Sequence, residues 1–376
     1  MAVAARKRTL VVKIGSSTLT SADGSADEAY LRQLAAQVAQ VRSEGWGVVI
    51  VSSGAIAIGL KKLGIAVRPT DMPTLQAAAS VGEGELAAAY AAAFGEFGIT
   101  TSLVLLTRRD TADRGAYLHA RDTLARLLEL GVVPVVNEND TVSVEQIRFG
   151  DNDTLSALVS YLVDADLDII LSDIDGFYDD NPAKNPQAKL VRRVEHIDKG
   201  IIDAAGAPGS SVGSGGMVTK VRAARALAVA GIPMVVCSGA RENAIVDAAA
   251  GKDVGTLFEA DAKLHEITPR KLWIALGDSS RGRLVVDDGA KAALVSRGSS
   301  LLMVGVSGVS GDFAEGDVVD IVDTAGYLFA RGLVSAEHDR VELAIGKTHD
   351  ELVRNKLLAE LADNVLVHRD DMVVFE

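Results

Sequence analysis

The chain has 376 residues, 48% of them apolar and 24% charged, and a formal net charge of -13. That length can bury a large core and implies two domains, since single domains usually run to ~100–200 residues. The acid excess argues against general affinity for nucleic acid or anionic membrane. The lone cysteine, Cys237, excludes an internal disulfide and any multi-cysteine metal site.

The N-terminal MAVAARKRTL is basic but lacks the apolar core of a signal peptide, and no run approaches the ~18 apolar residues of a membrane span. A cytoplasmic location is expected. Short Val, Ile and Leu-rich runs at 10–14, 48–51, 102–106, 132–136, 168–171 and 234–236 read as strands buried on both faces. Helix-length segments alternate with them at 27–42, 75–94, 116–130, 154–163 and 220–230. Strands alternating with helices predict an α/β fold, an open three-layer αβα sandwich around a mostly parallel sheet. The run 179–189, with two Asn-Pro steps, reads as an ordered surface loop.

Near residue 268 the pattern changes to short strand-like runs at 283–286, 318–322 and 327–333, with one helix at 352–361. The expected domains are therefore 1–267 and 268–376, the second small and β-rich.

In such sheets ligands bind beyond the carboxyl ends of the strands. The residues that follow the predicted strands include Lys13-Ile14-Gly15-Ser16-Ser17, Ser52-Ser53-Gly54, Asn137-Glu138-Asn139-Asp140, Ser172-Asp173 and Ser238-Gly239. Polar residues and glycines thus collect at one edge. Lys13 before a glycine and hydroxyl turn could grip a phosphate or could simply snorkel into solvent. Gly213-Ser214-Gly215-Gly216-Met217-Val218-Thr219-Lys220 permits close backbone approach and ends on a second lysine, and it could also be a plain linker. It fits neither a Walker A loop nor GxGxxG. Gly150-Asp151-Asn152-Asp153-Thr154 stands at a helix start, as a cap or as part of a site.

The six histidines show no metal spacing, and there is no hydrolase elbow or dinucleotide fingerprint. Two lysine loops facing acidic and amide clusters suit phosphoryl transfer, where positioning and charge neutralisation carry most of the catalysis.

The segments VVKIGSSTLT, VVIVSSGAIAIG, LLTRRD, ARDTL, PVVNEND, FGDNDTLSALV, LSDIDGFYDDNP and GSGGMVTK, in that order, resemble the amino-acid kinase family. NEND with GDND is similar to the glutamate-phosphorylating members, and the chain from Arg270 resembles a PUA domain. The resemblance implies ATP- and Mg²⁺-dependent phosphorylation of the γ-carboxylate of L-glutamate, the first step of proline biosynthesis. By motif, Lys13 and Lys220 would bind phosphates and stabilise the transferring group, with Asp153 orienting both. Ser53, Asp140 and Asn152 would bind glutamate. Ser172 (often Thr in the family), Asp173, Ser214, Gly215, Gly216, Met217, Val218, Thr219 and Lys220 would hold ATP, with Lys13 on its phosphates. Family habit further implies feedback inhibition by L-proline and a homo-oligomer, dimer or tetramer. PUA-like domains often bind RNA, but residues 271–376 hold 11 Lys and Arg against 18 Asp and Glu, which makes RNA binding unexpected here. A carboxylate acceptor, with a reference pKa of ~4.3, needs no general base, so Asp151 and Asp153 are expected to act as electrostatic organisers.

Overall fold

A computed structural model of the protein describes residues 8–107, 110, 114–142, 152–182, 184–206, 216–260, 268–276 and 280–375. The chain divides into two compact units, Met1–His265 and Glu266–Glu376.

The first unit runs β1 (Thr9–Ile14), α1 (Ser16–Leu19), α2 (Glu28–Ser43), β2 (Gly47–Val51), α3 (Ala55–Lys62), α4 (Met72–Gly95), β3 (Thr101–Leu106), α5 (Arg114–Glu129) and β4 (Val133–Glu138). It continues through α6 (Asp153–Leu162), β5 (Leu167–Ser172), β6 (Arg193–Val194), α7 (Lys199–Ala205), α8 (Gly216–Val229), β7 (Met234–Ser238), α9 (Ala244–Ala249) and β8 (Gly255–Phe258). The strands form one sheet in the order β3-β4-β2-β1-β5-β7-β8-β6. From β3 across to β7 every pairing is parallel. β8 runs antiparallel to β7, and β6 follows β8 in parallel. β1, β2, β4 and β5 are buried at every position, which is why they read as unbroken apolar runs. Their parallel course brings the carboxyl ends of all six expected strands to one edge.

Two local features set the site. α3 and α4 cross at Gly59 and Gly82, where an added Cβ would lie 1.8 Å from the Ala78 and Ala55 carbonyl oxygens respectively. Only hydrogen side chains permit that approach, and it draws the middle of α4 in under the sheet edge. α8 begins at Gly216 and not at Lys220 as the sequence suggested. Thr219 Oγ1 and Lys220 Nζ both bond back to the Gly216 carbonyl, at 2.9 and 3.1 Å, closing that first turn. The loop predicted at 179–189 is tied at its base, where the Asp179 N–H donates to the Lys189 carbonyl at 3.0 Å and the Lys189 N–H to Asp179 Oδ1 at 2.7 Å.

The second unit holds a separate six-stranded sheet, and here the sequence expectations need correction. Its elements are α10 (Pro269–Leu276), β9 (Gly282–Val286), α11 (Asp288–Arg297), β10 (Leu301–Leu302), β11 (Val306–Gly311), β12 (Val318–Val322), β13 (Leu328–Val334), α12 (His338–Ala344), α13 (His349–Arg354), α14 (Ala359–Asp363) and β14 (Val365–Val374). The strand order is β10-β14-β13-β12-β9-β11. The single helix expected at 352–361 is two short ones. Asn355 leaves the helical region and turns the chain, its carbonyl accepting from Leu358 N–H at 2.9 Å. α11 was not anticipated either, although Asp287 caps it by accepting from Ala290 N–H at 2.7 Å and Gly298 ends it at φ 59°.

Candidate active site

The helix α6 starts at the carboxyl edge of the sheet, and its N-cap residue Asn152 and first residue Asp153 face two different networks. Asp153 is fully buried. Its carboxylate meets Lys13, from the end of β1, at 2.6 Å and Lys220, from the second turn of α8, at 3.2 Å. Thr219 Oγ1 donates to the same carboxylate at 3.0 Å. Both lysines are themselves buried. One carboxylate therefore fixes two ammonium groups drawn from opposite sides, next to the N-terminus of a fourteen-residue helix whose first N–H groups lack intrahelical acceptors. That arrangement suits a phosphate chain.

Asn152 occupies the N-cap position, yet its side chain makes no capping bond. It reaches across the sheet edge instead. Its Nδ2 donates to the Ser52 carbonyl, to Ser53 Oγ at 3.1 Å and to Asn137 Oδ1 at 2.8 Å. Asn137 in turn donates from Nδ2 to Glu83 Oε1 of α4 at 2.5 Å, while the Ser52 hydroxyl lies 3.1 Å from the Tyr90 hydroxyl. Asp140, half-buried just beyond β4, is close enough to Glu83 for its charge to act on the Glu83 carboxyl. Burial pushes the Asp140 carboxyl up to about 6, against a smaller opposing pull from Arg68. Burial likewise pushes Glu83 up to about 7, with the Asn137 hydrogen bond opposing and the Asp140 charge adding to it.

Residues 8–238 match the Amino acid kinase family and residues 282–355 match the PUA domain. The chain belongs to the amino acid kinase family. It is 44% identical over 372 residues to a glutamate 5-kinase of Geobacter sulfurreducens, covering 99% of each chain. Glutamate 5-kinases of Bordetella pertussis (46% over 365 residues) and Streptomyces coelicolor (45% over 367) are matched over 97% and 98% of this chain and 96% of their own. Among solved structures, a UMP kinase from Ureaplasma parvum aligns with 68% of this chain and 99% of its own, at 18% identity and a TM-score of 0.47.

Of the remaining sequence candidates, Ser172 and Asp173 lie at the same sheet edge. Ser172 ends β5 and its hydroxyl donates to the exposed Asp173 carboxylate at 3.0 Å. β7 pairs Ser238 with Ser172, and the Gly239 N–H donates to the Ser172 carbonyl at 2.7 Å. From Ser238 opens a cavity of about 410 Å³, lined by Asp175, Leu190, Arg192, Ala240, Arg241 and Val254. Gly216, Met217 and Val218 form the first turn of α8, whereas Ser214, Gly215 and Asp151 lie outside the described residues. The structure brings together Lys13, Asp153, Thr219 and Lys220 in one cluster, and Ser53 and Asn152 in another.

Sequence reasoning missed Glu83, Tyr90 and the arginines of the cavity. A signal existed for Glu83. The buried stripe of α4 runs Leu75, Ala78, Ala79, Gly82, Glu83, Leu86, Tyr90, so an acid sits on the apolar face of an otherwise alanine-rich helix. Asp168 was also overlooked. Inside β5, it accepts from Ser156 at 2.7 Å and Ser160 at 2.6 Å and ties α6 down onto the sheet.

Proposed function

We propose that the protein transfers the γ-phosphoryl group of ATP to the γ-carboxylate of L-glutamate, giving γ-glutamyl phosphate, the first step of proline biosynthesis. The observation that carries this is the division at the start of α6: Asp153 gathers Lys13 and Lys220, while Asn152 joins a neutral hydrogen-bonding cluster with Ser53 and Asn137. Full-length similarity to curated glutamate 5-kinases supports the same reading.

The triphosphate lies along the first turn of α8, with its base end toward Ser172, Asp173 and the cavity between Arg192 and Arg241. Glutamate places its ammonium end against Asp140 and the outward oxygen of Asn152, with Ser53 beside it. A γ-carboxylate oxygen attacks the γ-phosphorus, the bond to the bridging oxygen of ADP breaks, and no proton need move, since the carboxylate is already ionised. Lys13 and Lys220 neutralise the oxygens that would repel the incoming carboxylate, and Asp153 keeps both ammonium groups at fixed positions before substrates arrive. The carboxylate nearest the lysines is Asp153, already held by them and Thr219, which fits Mg²⁺ entering as the ATP complex with phosphate oxygens and water as ligands. When bound, the ion would add further charge neutralisation at the phosphates.

Residues 1–267 make up the kinase domain in this reading and 268–376 the PUA-like domain. L-Proline, which shares the α-carboxylate and a neighbouring ammonium, inhibits by occupying the Ser53, Asp140 and Asn152 end. The working protein is a cytoplasmic homo-oligomer. ADP release measured with glutamate, aspartate, N-acetylglutamate and UMP, with and without proline, is the test. Release with glutamate alone, reduced by proline, is expected. Turnover of another acceptor without turnover of glutamate would overturn the assignment.

A further inference from the structure

The hydrogen bonds of the amide cluster all run one way. Asn152 donates to Asn137, Asn137 donates to Glu83, and Asn137 Oδ1 also accepts the Glu138 N–H at 2.9 Å. A carboxamide can face either way in its slot, and what decides is where the acceptors stand. The Glu138 N–H holds Asn137 Oδ1 and the Ser52 carbonyl holds the Asn152 NH₂, so both carboxamides have a set direction, and Glu83 takes the remaining donation of Asn137. Every donation points inward and the Asn152 carbonyl oxygen is turned away from the cluster. Glu83 ends the relay, and it ends it incompletely. Its side chain is 6% exposed and its Oε2 is buried without a hydrogen-bond partner. A buried carboxyl with one oxygen engaged and one bare is costly to ionise and is the natural place for a proton to reside.

We infer that Glu83 is a positioning residue for the amino-acid substrate: it holds the Asn137 carboxamide against which Asn152 rests, and its state of protonation sets how firmly the substrate's ammonium end is held. The inference rests on the glutamate assignment above. Its physical content is simple. Ionised Glu83 places a negative charge behind a chain of aligned dipoles, and a cation at the outer end gains from it. Among the described residues, Asp140 beyond β4 acts on Glu83, Tyr90 on the same helix feels its charge, and Arg68 acts on Asp140. α3 meets this part of α4 through Ala55 and Gly59, which carry no charge. Burial pushes both carboxyls up, Glu83 to about 7 and Asp140 to about 6, and removing the Glu83 charge by substitution tells their steps apart.

The test is the pH profile of KM for glutamate from pH 5.5 to 9, in the full-length protein and in Glu83→Gln. Glutamine keeps an oxygen for Asn137 but cannot ionise. In the wild-type protein KM for glutamate should fall about 3- to 10-fold as pH rises through 7, the range expected when a hydrogen-bonded group gains charge. In Glu83→Gln the step near 7 should vanish while that of Asp140 near 6 remains, with KM for ATP within about twofold of wild type. Identical profiles in the two proteins, or KM for both substrates rising together as general loosening would cause, overturn the role. Should the variant not fold, wild-type calorimetry of glutamate binding at pH 7.5 in buffers of different ionisation enthalpy serves instead. Release of a fraction of a proton is expected, and no release or uptake overturns the inference. Wild-type protein without glutamate-dependent ADP release would remove the substrate assignment itself, a distinct outcome.

Discussion

Asn152 and Asp153 are chain neighbours, yet the regions they enter differ in kind. The Asp153 side is ionic, with two buried ammonium groups and a hydroxyl on one carboxylate, supplied by β1 and α8. The Asn152 side is built from amides and hydroxyls, supplied by β2 and β4 and closed from behind by α4. In the proposed reading the charged side meets the ligand whose charge changes during reaction. In the same reading the neutral side recognises a shape and one cation, and burial pushes its carboxyls, Glu83 and Asp140, above the usual carboxylate range. The difference teaches how one helix start can serve both substrates in the proposed reading: successive side chains at the helix start diverge, and each meets a different set of strand ends.

The sharpest way to break that comparison is to remove charge from the ionic side alone. Lys220→Ala leaves Asp153 held by Lys13 and should keep the fold, while kcat falls by about 10²–10⁴-fold, as for loss of a group that stabilises transition-state charge. KM for glutamate should move less than about threefold. Turnover close to wild type, or a glutamate KM that rises as far as kcat falls, would show that the two networks are not divided as drawn. The next largest effect belongs to the neutral side. Asp140→Ala should raise KM for glutamate by about 10- to 100-fold, the loss of one charge-assisted contact, with KM for ATP unchanged. An equal loss for both substrates would merge the two regions into one.

The first unit was legible because its central strands are buried on both faces and therefore apolar without interruption. β6 and β8 were not, being two and four residues long, and both run against β7 and the parallel strands beyond it. In the second unit the elements are short and their faces mixed, so α11 and β14 left no periodic signal strong enough to separate helix from strand. Within the site, residues on the strand ends announced themselves by following apolar runs. Glu83 did not, because it lies between two glycines far from any strand end, and its meaning depends on a helix crossing at Gly59 and Gly82 that no local pattern reveals. The same limit hid Asp168, whose partners Ser156 and Ser160 lie a turn apart on α6.

Asp168 offers the smallest and most specific test, because it sits beneath α6 on the ionic side only. Burial pushes its carboxyl up to about 6, the two serine hydroxyls pull the other way, Asp153 adds to the rise and Lys13 opposes it. A carboxyl raised in the folded state contributes stability that is complete below its unfolded value near 3.8 and is lost as pH climbs through about 6. Above that window the native protein must hold an ionised Asp168 in a dry site, with one oxygen lacking a partner. Asp168→Asn cannot ionise and escapes that cost, though it carries a constant penalty for burying an NH₂ among serines. Comparing denaturation midpoints of the two proteins at pH 4.5 and pH 8 cancels the constant term. The variant should gain on wild type between those pH values by about 2 kcal/mol, the part of the rise from 3.8 to about 6 that acts above pH 4.5, while KM for glutamate stays within about twofold at both. A difference in stability that does not change with pH would mean that Asp168 is not the strained anchor of α6. A pH-dependent change in glutamate affinity would mean that the ionic side reaches into the neutral one through the body of the helix, and the division at Asn152 and Asp153 would have to be redrawn.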